Sequence, residues 1–151
     1  MISEGRSALA DREKTMENKK IPISDISSAA LAYLGDCALE IFVRQSLVEA
    51  GLSSAKRLNG EALKFVSAPR QAAAVKRIAE MLTEEETAYF KRGRNIGHTN
   101  TPKNATMGEY RAATGLEALF GYLKLTEQND RAVELFRAAY SEELANLEHN
   151  K

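Results

Sequence analysis

Residues 31–44 read Leu-Ala-Tyr-Leu-Gly-Asp-Cys-Ala-Leu-Glu-Ile-Phe-Val-Arg. The apolar and small residues of this run predict one helix from about Ser28 to Ala50. Because they cover nearly its whole circumference, we expect a buried, central helix. Asp36, Glu40 and Arg44 interrupt it at the spacing that places them on one stripe. A buried carboxylate is costly unless a cation, hydrogen bonds or water compensates it, so Asp36 is the first candidate for function.

The rest of the chain predicts an all-α domain. The 151 residues suffice for one domain with a real core, and they show neither a strand pattern nor an internal repeat. We expect a polar N-terminal extension over residues 1–20, a helical domain of about six to seven helices over 21–147, and a tail over 148–151. Caps and apolar stripes indicate helices over about 28–50, 53–66, 67–81, 83–92, 106–125 and 128–147. Gly51 should end the first, and Gly93 or Gly97 the fourth.

Composition excludes several classes of protein. The single cysteine, Cys37, rules out a disulfide framework or a zinc cluster and is expected to be a small buried residue. No apolar run approaches a membrane span, and the N-terminus lacks the apolar region of a signal peptide. We therefore expect a cytoplasmic protein without membrane contact. The 21 basic and 21 acidic residues balance, which argues against nucleic-acid binding by bulk charge.

Charge is nevertheless uneven. Residues 91–104 contain four basic side chains and no acid, and local patches rather than totals bind phosphate. This segment is a candidate phosphate-binding loop. The alternative is a set of solvated cations at a helix C-terminus. His98 lies in a polar context and is expected to contact phosphate or solvent rather than to act as a general base.

A second acid, Glu117, lies midway along the fifth predicted helix, close to Gly115, Ala118 and Gly121. Gly35 precedes Asp36 in the same way. Small residues would let the two helices pack closely and bring both carboxylates to one point, which is a natural arrangement for Mg²⁺ and a water nucleophile. Spacing alone favours a structural interpretation, with Arg44 or Arg111 as the partner of Asp36. Glu40 could ligate metal or simply pair with Arg44.

These motifs together resemble a known family. Residues 31–40 resemble the signature helix of the ribonuclease III family, and residues 113–121, Ala-Thr-Gly-Leu-Glu-Ala-Leu-Phe-Gly, resemble its second acidic motif. Lys-Arg-Gly-Arg-Asn at 91–95 and Thr-Pro-Lys-Asn at 101–104 are similar to motifs of the Mini-ribonuclease III subfamily. As in that subfamily, we expect no double-stranded-RNA-binding domain. The resemblance covers about residues 23–144.

The resemblance implies an all-α endonuclease domain that forms a homodimer through the signature helices. It implies Mg²⁺-dependent cleavage of double-stranded RNA, with Mn²⁺ able to substitute, leaving 5′-phosphate and 3′-hydroxyl ends. For the subfamily it implies maturation of the 23S ribosomal RNA precursor, and a ribosomal protein is a candidate for presenting that RNA. The alternatives are a catalytically silent ribonuclease III fold that binds ribosomal RNA, and a helical interaction protein with neither RNA nor metal.

By motif position, Asp36 and Glu117 correspond to the two central metal-binding acids. The wider family carries acids where this chain has Ala29, Ala32 and Thr114, so waters must fill more of the metal's coordination sphere. Thr114 lies three residues before Glu117, and its hydroxyl is placed to hold a metal-bound water. Glu40 is, with Thr114, a further candidate for the metal site. RNA contacts are expected from Lys91, Arg92, Arg94, Asn95, Thr101, Lys103 and Asn104, with Tyr110 and Arg111 as further candidates.

Overall fold

The structure is a computed structural model that describes residues 20–97 and 103–149. These residues form seven α-helices and no strand, as expected for an all-α domain. None of these helices is both long and apolar enough to cross a lipid bilayer. Two short 3₁₀ turns occupy Ile23–Asp25 and Ala79–Met81. The helices are α1 (Ser28–Glu49), α2 (Ala55–Val66), α3 (Ala68–Ile78), α4 (Glu84–Arg94), α5 (Met107–Leu125), α6 (Asn129–Ala139) and α7 (Ser141–His149).

Helix α5 is the centre of the fold. It packs against α1, α3 and α4, and its residues from Leu116 to Leu123 are buried except for Glu117, which is half-buried. Helix α1 packs along α5 through Leu31, Leu39, Val43 and Leu47, all of which are fully buried. The central pair of helices therefore carries the two acids that the sequence singled out.

The predicted helix ends are largely confirmed. Thr83 and Thr106 each form a capping box, with Glu86 and Glu109 respectively closing it on the N-cap backbone. Gly51 follows the end of α1 in the left-handed conformation with φ of 91°. Its N–H donates to Val48, and the N–H of Leu52 donates to Leu47. This is the helix-terminating arrangement that favours glycine.

The expectation that α1 is buried all round is wrong. Tyr33, Ile41 and Val48 are 86%, 56% and 62% exposed, and Cys37 is exposed as well. A straight helix presents only one side to a single neighbouring layer, and no other part of the described chain covers the opposite side of α1. Half of this apolar helix is therefore surface in the single chain.

Of the two glycines predicted to end the fourth helix, Gly93 does not do so, whereas Gly97 lies beyond the helix end. Helix α4 continues through Gly93 to Arg94, and Gly93 is buried against α5. A glycine in the last turn of a helix equally suits a C-terminal cap and a close helix crossing. Here the crossing determines its role, because a side chain at this position would collide with α5.

The last predicted helix is divided at Tyr140 into α6 and α7. The buried Tyr140 hydroxyl donates to the Phe65 carbonyl oxygen at 2.8 Å. Arg77 donates to the Ala139 carbonyl at the end of α6, also at 2.8 Å, and pairs with the buried Glu143 of α7 at 2.9 Å. The Arg77 bond thus satisfies a carbonyl freed at the break, and the Tyr140 bond fastens the break to the end of α2. Helical periodicity alone does not reveal either contact.

Candidate metal and RNA site

The two central helices touch at glycines. A Cβ atom added to Gly35 would collide with the backbone carbonyl of Glu117, and one added to Gly121 would collide with the carbonyl of Leu31. Contact this close is open only to glycine, so Gly35 and Gly121 have the role that the sequence predicted. Gly115 and Ala118 were expected to help this approach, but they pack against α4 instead. The backbones of α1 and α5 meet at the level of Asp36 and Glu117.

The two carboxyl groups meet at this crossing. Asp36 lies on the exposed side of α1, whereas Glu117 is half-buried. Burial, together with the negative charge of Asp36 and a hydrogen bond between the two carboxyl groups, raises the pKa of Glu117 to about 8. At neutral pH Glu117 holds a proton that it can donate to the Asp36 carboxylate. Burial and the nearby charge of Asp36 therefore keep Glu117 from ionising at neutral pH in the protein alone.

Within residues 20–97 and 103–149, no arginine forms a salt bridge with Asp36. Among the described residues neither Arg44 nor Arg111 forms a salt bridge with it, so the structural interpretation of this acid finds no support there. Arg44 pairs instead with Glu40, to which its Nη2 donates at 2.9 Å and its Nε at 3.2 Å. Glu40 therefore forms the ion pair with Arg44 that was one of the two roles predicted for it.

The pair fits a divalent cation of the magnesium type. Within the described ranges no group of three or more histidine, cysteine, aspartate or glutamate side chains converges on a point. Two carboxylates suffice for Mg²⁺, which commonly binds through one or two of them and keeps several waters. A cation at this point would also offset the repulsion that raises the pKa of Glu117. Asp36 and Glu117 are the residues that would hold it.

Thr114 lies one turn before Glu117 on α5. Its hydroxyl donates to the Tyr110 carbonyl at 3.0 Å, so its oxygen keeps capacity to accept a hydrogen bond from a water. A Cβ added to Gly93 would crowd the Thr114 carbonyl, Gly115 and Ala118. Helical geometry places these contacts on the face of α5 next to the one that meets Gly35. The basic end of α4 therefore crosses α5 beside the acidic pair.

Most of the predicted RNA-binding side chains lie at the end of α4 or near the start of α5. On and after the last turn of α4, Lys91, Arg94 and Asn95 are exposed, and the Arg94 Nε donates to the Asn95 side chain at 3.3 Å. Lys103 and Asn104 are exposed just before α5. Thr101 and His98 lie outside the described residues. On α5, Arg111 is exposed and Tyr110 is half-buried.

Arg92 differs from its neighbours. Its Nη2 donates to the Ile26 carbonyl oxygen at 2.6 Å, and its guanidinium lies 5.1 Å from the centre of the Tyr89 ring. The side chain is half-buried rather than exposed. The structure thus places this predicted RNA contact against the segment that leads into α1.

Two ion pairs that hold the site's helices were missed in the sequence. The buried Glu86 of α4 accepts from Arg131 of α6 at 2.9 and 3.0 Å, and Arg77 links α3 to α7 through Glu143. The partners are 45 and 66 residues apart in the chain. Only the position of Glu86 in its capping box hinted that this acid has a fixed role.

Comparison with known proteins agrees with this geometry. The Ribonuclease III domain family model matches residues 29–128. The chain is 45% identical to the Mini-ribonuclease 3 of Enterococcus faecalis over 112 residues, covering 73% of this chain and 85% of the relative. It is also 45% identical to the Mini-ribonuclease 3 of Symbiobacterium thermophilum, covering 72% and 84%. A protein of Fusobacterium nucleatum solved by X-ray crystallography superposes with a TM-score of 0.71 at 30% identity, covering 79% and 95%.

A helical domain with two acids at a glycine crossing, matched over most of its length by one family model, defines the class as a ribonuclease III domain. Within that class, the chain belongs to the Mini-ribonuclease 3 family. This membership confirms the resemblance drawn from the sequence motifs and the enzyme class it implied, an endoribonuclease of the ribonuclease III type.

Proposed function

We propose that this protein is a Mg²⁺-dependent endoribonuclease that cleaves double-stranded RNA, with Mn²⁺ able to substitute. The observation that carries the metal site is the meeting of Asp36 and Glu117 at the closest approach of α1 and α5. No cationic side chain of the described residues forms a salt bridge with either acid. Family membership supports the reaction class. The products would carry 5′-phosphate and 3′-hydroxyl ends.

The protein's own groups have defined tasks in this reaction. Asp36 and Glu117 would hold the metal, and Glu117, whose pKa is raised to about 8, would release its proton to solvent in order to do so. Thr114 orients a water through the hydroxyl oxygen that the Tyr110 carbonyl leaves free to accept. The chemistry that a bound Mg²⁺ supplies is polarisation of the scissile phosphate and activation of a water. Glu40 stays with Arg44 and outside the ligand set.

Lys91, Arg94, Lys103 and the amides of Asn95 and Asn104 supply the RNA contacts, together with Thr101. Duplex RNA is recognised mainly through phosphates and 2′-hydroxyls rather than by base sequence. With few cations per chain, binding should be weak and strongly dependent on salt. Of the two further candidates for RNA contact, Arg111 is exposed and Tyr110 is half-buried, so Arg111 is the better candidate.

The exposed apolar side of α1 supports a homodimer. Tyr33, Ile41 and Val48 form a band of large apolar side chains on the same helix as Asp36. Contiguous apolar surface of this kind marks a site of protein association. Pairing through α1 would cover the band and double the RNA footprint. Replacing Tyr33 by Asp should yield monomers in sedimentation, whereas a dimer that persists would exclude this face.

The finer assignments rest on the subfamily resemblance. They are maturation of a 23S ribosomal RNA precursor, presentation of that RNA by a ribosomal protein and a cytoplasmic location. Cleavage of a precursor transcript, alone and with ribosomal proteins added one at a time, would test the first two.

The decisive experiment measures cleavage of a duplex RNA in low salt with Mg²⁺, with RNA binding followed in parallel. Wild type should cut, whereas Asp36→Asn and Glu117→Gln should bind without cutting. Glu49→Gln, which changes an exposed acid of the same helix, is the matched control and should cut normally. If wild type binds RNA but never cuts it, across salt and with Mn²⁺ tried, the protein is a catalytically silent RNA-binding module.

A further inference from the structure

Among the basic side chains of residues 91–104, Arg92 makes the closest contacts with the rest of the protein. Its Nη2 donates to the Ile26 carbonyl at 2.6 Å, and Tyr89 lies under its guanidinium at 5.1 Å. Lys91, Arg94 and Lys103 are exposed by comparison, with no backbone carbonyl as partner in the described chain. Charge-assisted hydrogen bonds are shorter and stronger than neutral ones. The Arg92 guanidinium is therefore a poor candidate for a phosphate contact.

The partners of Arg92 belong to the elements that build the metal site. Ile26 directly precedes Ser27, the N-cap of α1. Tyr89 stacks on Tyr122 of α5 with ring centres 4.2 Å apart. Gly93, the next residue, packs against Thr114 and Ala118 on either side of Glu117 in sequence. One side chain thus connects the end of α4, where the RNA-binding residues begin, with the start of α1 and, through Tyr89, with α5.

Resting on the proposed function, we propose that Arg92 is a positioning residue that sets the RNA-binding end of α4 relative to the metal helices α1 and α5 and contacts no phosphate. Cleavage requires that RNA held by Lys91 and Arg94 present a phosphate at Asp36 and Glu117. Displacement of about 1 Å between bound substrate and catalytic groups can cost about a hundredfold in rate. A residue that fixes the position of the RNA-binding side chains relative to Asp36 and Glu117 should therefore affect turnover more than RNA binding.

The first test separates a phosphate contact from a contact within the protein. Each phosphate neutralised adds about 0.7–0.9 to the slope of log affinity against log salt. Arg92→Gln removes the charge but keeps a polar side chain, and Arg94→Gln is its matched control. Binding of a duplex RNA in EDTA should show a smaller slope for Arg94→Gln and a wild-type slope for Arg92→Gln. A slope reduced equally in both variants would overturn the proposal.

The second test is kinetic. Arg92→Met removes the donor and keeps an unbranched apolar stem. It should lower kcat by about tenfold or more while changing KM by less than about twofold. Arg94→Gln should instead raise KM. Arg92→Lys, which restores a charged donor, should recover most of the kcat. A wild-type kcat in Arg92→Met, or a loss carried by KM, contradicts the assignment.

Folding and function are controlled separately. Thermal melting identifies variants that fail to fold, and if Arg92→Met is one of them, the comparison of salt slopes for Arg92→Gln and Arg94→Gln still decides. That comparison is made without metal and without cleavage. Failure of wild type to cut RNA would therefore overturn the proposed function, whereas a reduced slope in Arg92→Gln overturns only the role given to Arg92.

Discussion

The carbonyl oxygen of Glu117 lies directly against Gly35, so the backbone that carries one acid of the pair touches the residue before the other acid, Asp36. The separation of the two carboxylates is thus set by backbone contact rather than by flexible side chains. Gly121 repeats the contact one turn along α5, against Leu31. The geometry of the acidic pair depends on two residues that have no side chain.

Replacing Gly35 by Ala should destabilise the protein by about 2 kcal/mol or more, because the new methyl group overlaps the Glu117 carbonyl and must force the helices apart. Urea unfolding would measure the loss. Gly60→Ala is the matched control, since a Cβ there meets nothing within 4 Å in mid-helix. It should stabilise by up to about 1 kcal/mol. Equal effects of the two substitutions would refute the close crossing.

The pKa of Glu117 predicts a pH dependence of stability. Between pH 4.5 and about 8 the folded state keeps a proton on Glu117 that the unfolded state has released. Stability should therefore fall as pH rises through this window, with a contribution approaching about 1.4 kcal/mol per pH unit. Glu117→Gln should remove this contribution. Denaturant midpoints of both proteins from pH 5 to 9 would check it, and parallel profiles would count against the buried pair.

The affinity for Mg²⁺ should depend on pH through the same proton on Glu117. Because Mg²⁺ must displace it, apparent affinity should rise with pH up to about 8 and then level. The Mg²⁺-induced increase in Tm, compared at pH 6 and pH 9, gives the measurement. Glu40→Gln should retain this increase, because Glu40 is occupied by Arg44. Loss of the increase in Glu40→Gln would place Glu40 among the ligands.

The ion pair of Glu86 and Arg131 should be costly to break. Burial would raise the pKa of Glu86, but hydrogen bonds from Arg131 and Thr83 outweigh it and lower the pKa. Removing Arg131 leaves a buried acid that is only 3% exposed, so Arg131→Met should cost about 3–5 kcal/mol at neutral pH. Glu134→Gln breaks only the exposed pair with Arg131 and should cost under about 1 kcal/mol. Calorimetry of both variants separates the two contributions.

The turn between α5 and α6 offers a stabilising change. Glu127 has a φ of 57°, and the N–H groups of Glu127 and Gln128 bond back to Lys124 and Leu123 in the arrangement that Gly51 forms after α1. Glu127→Gly should relieve left-handed strain and stabilise by up to about 1 kcal/mol. Gly51→Ala should destabilise by a similar amount. Opposite signs in urea unfolding are the expected result.

The local parts of this architecture could be predicted from sequence. The capping boxes at Thr83 and Thr106 and the end of α1 at Gly51 depend on residues within one turn. The pairing of Asp36 with Glu117 was also accessible, because small residues beside both acids indicated a close crossing. Motif resemblance then selected between the metal and structural interpretations.

Long-range partners could not be predicted in this way. The bond from Arg92 to Ile26 and the pair of Arg77 with Glu143 each span 66 residues, and nothing local distinguishes these arginines from solvated ones. The exposed side of α1 was misjudged for a related reason. Apolar periodicity shows which side chains avoid water, but it does not show whether this chain or another one covers them.

The glycine crossing also determines the stage of folding at which Asp36 and Glu117 come together. Gly35 and Gly121 belong to the first and fifth helices, so their contact closes a loop that contains most of the chain and is made late in any folding order that begins with local pairs. Until that closure Asp36 and Glu117 are ordinary, separate acids. A partly folded or newly synthesised chain should therefore be unable to bind the ion, and nuclease activity appears only with the completed fold.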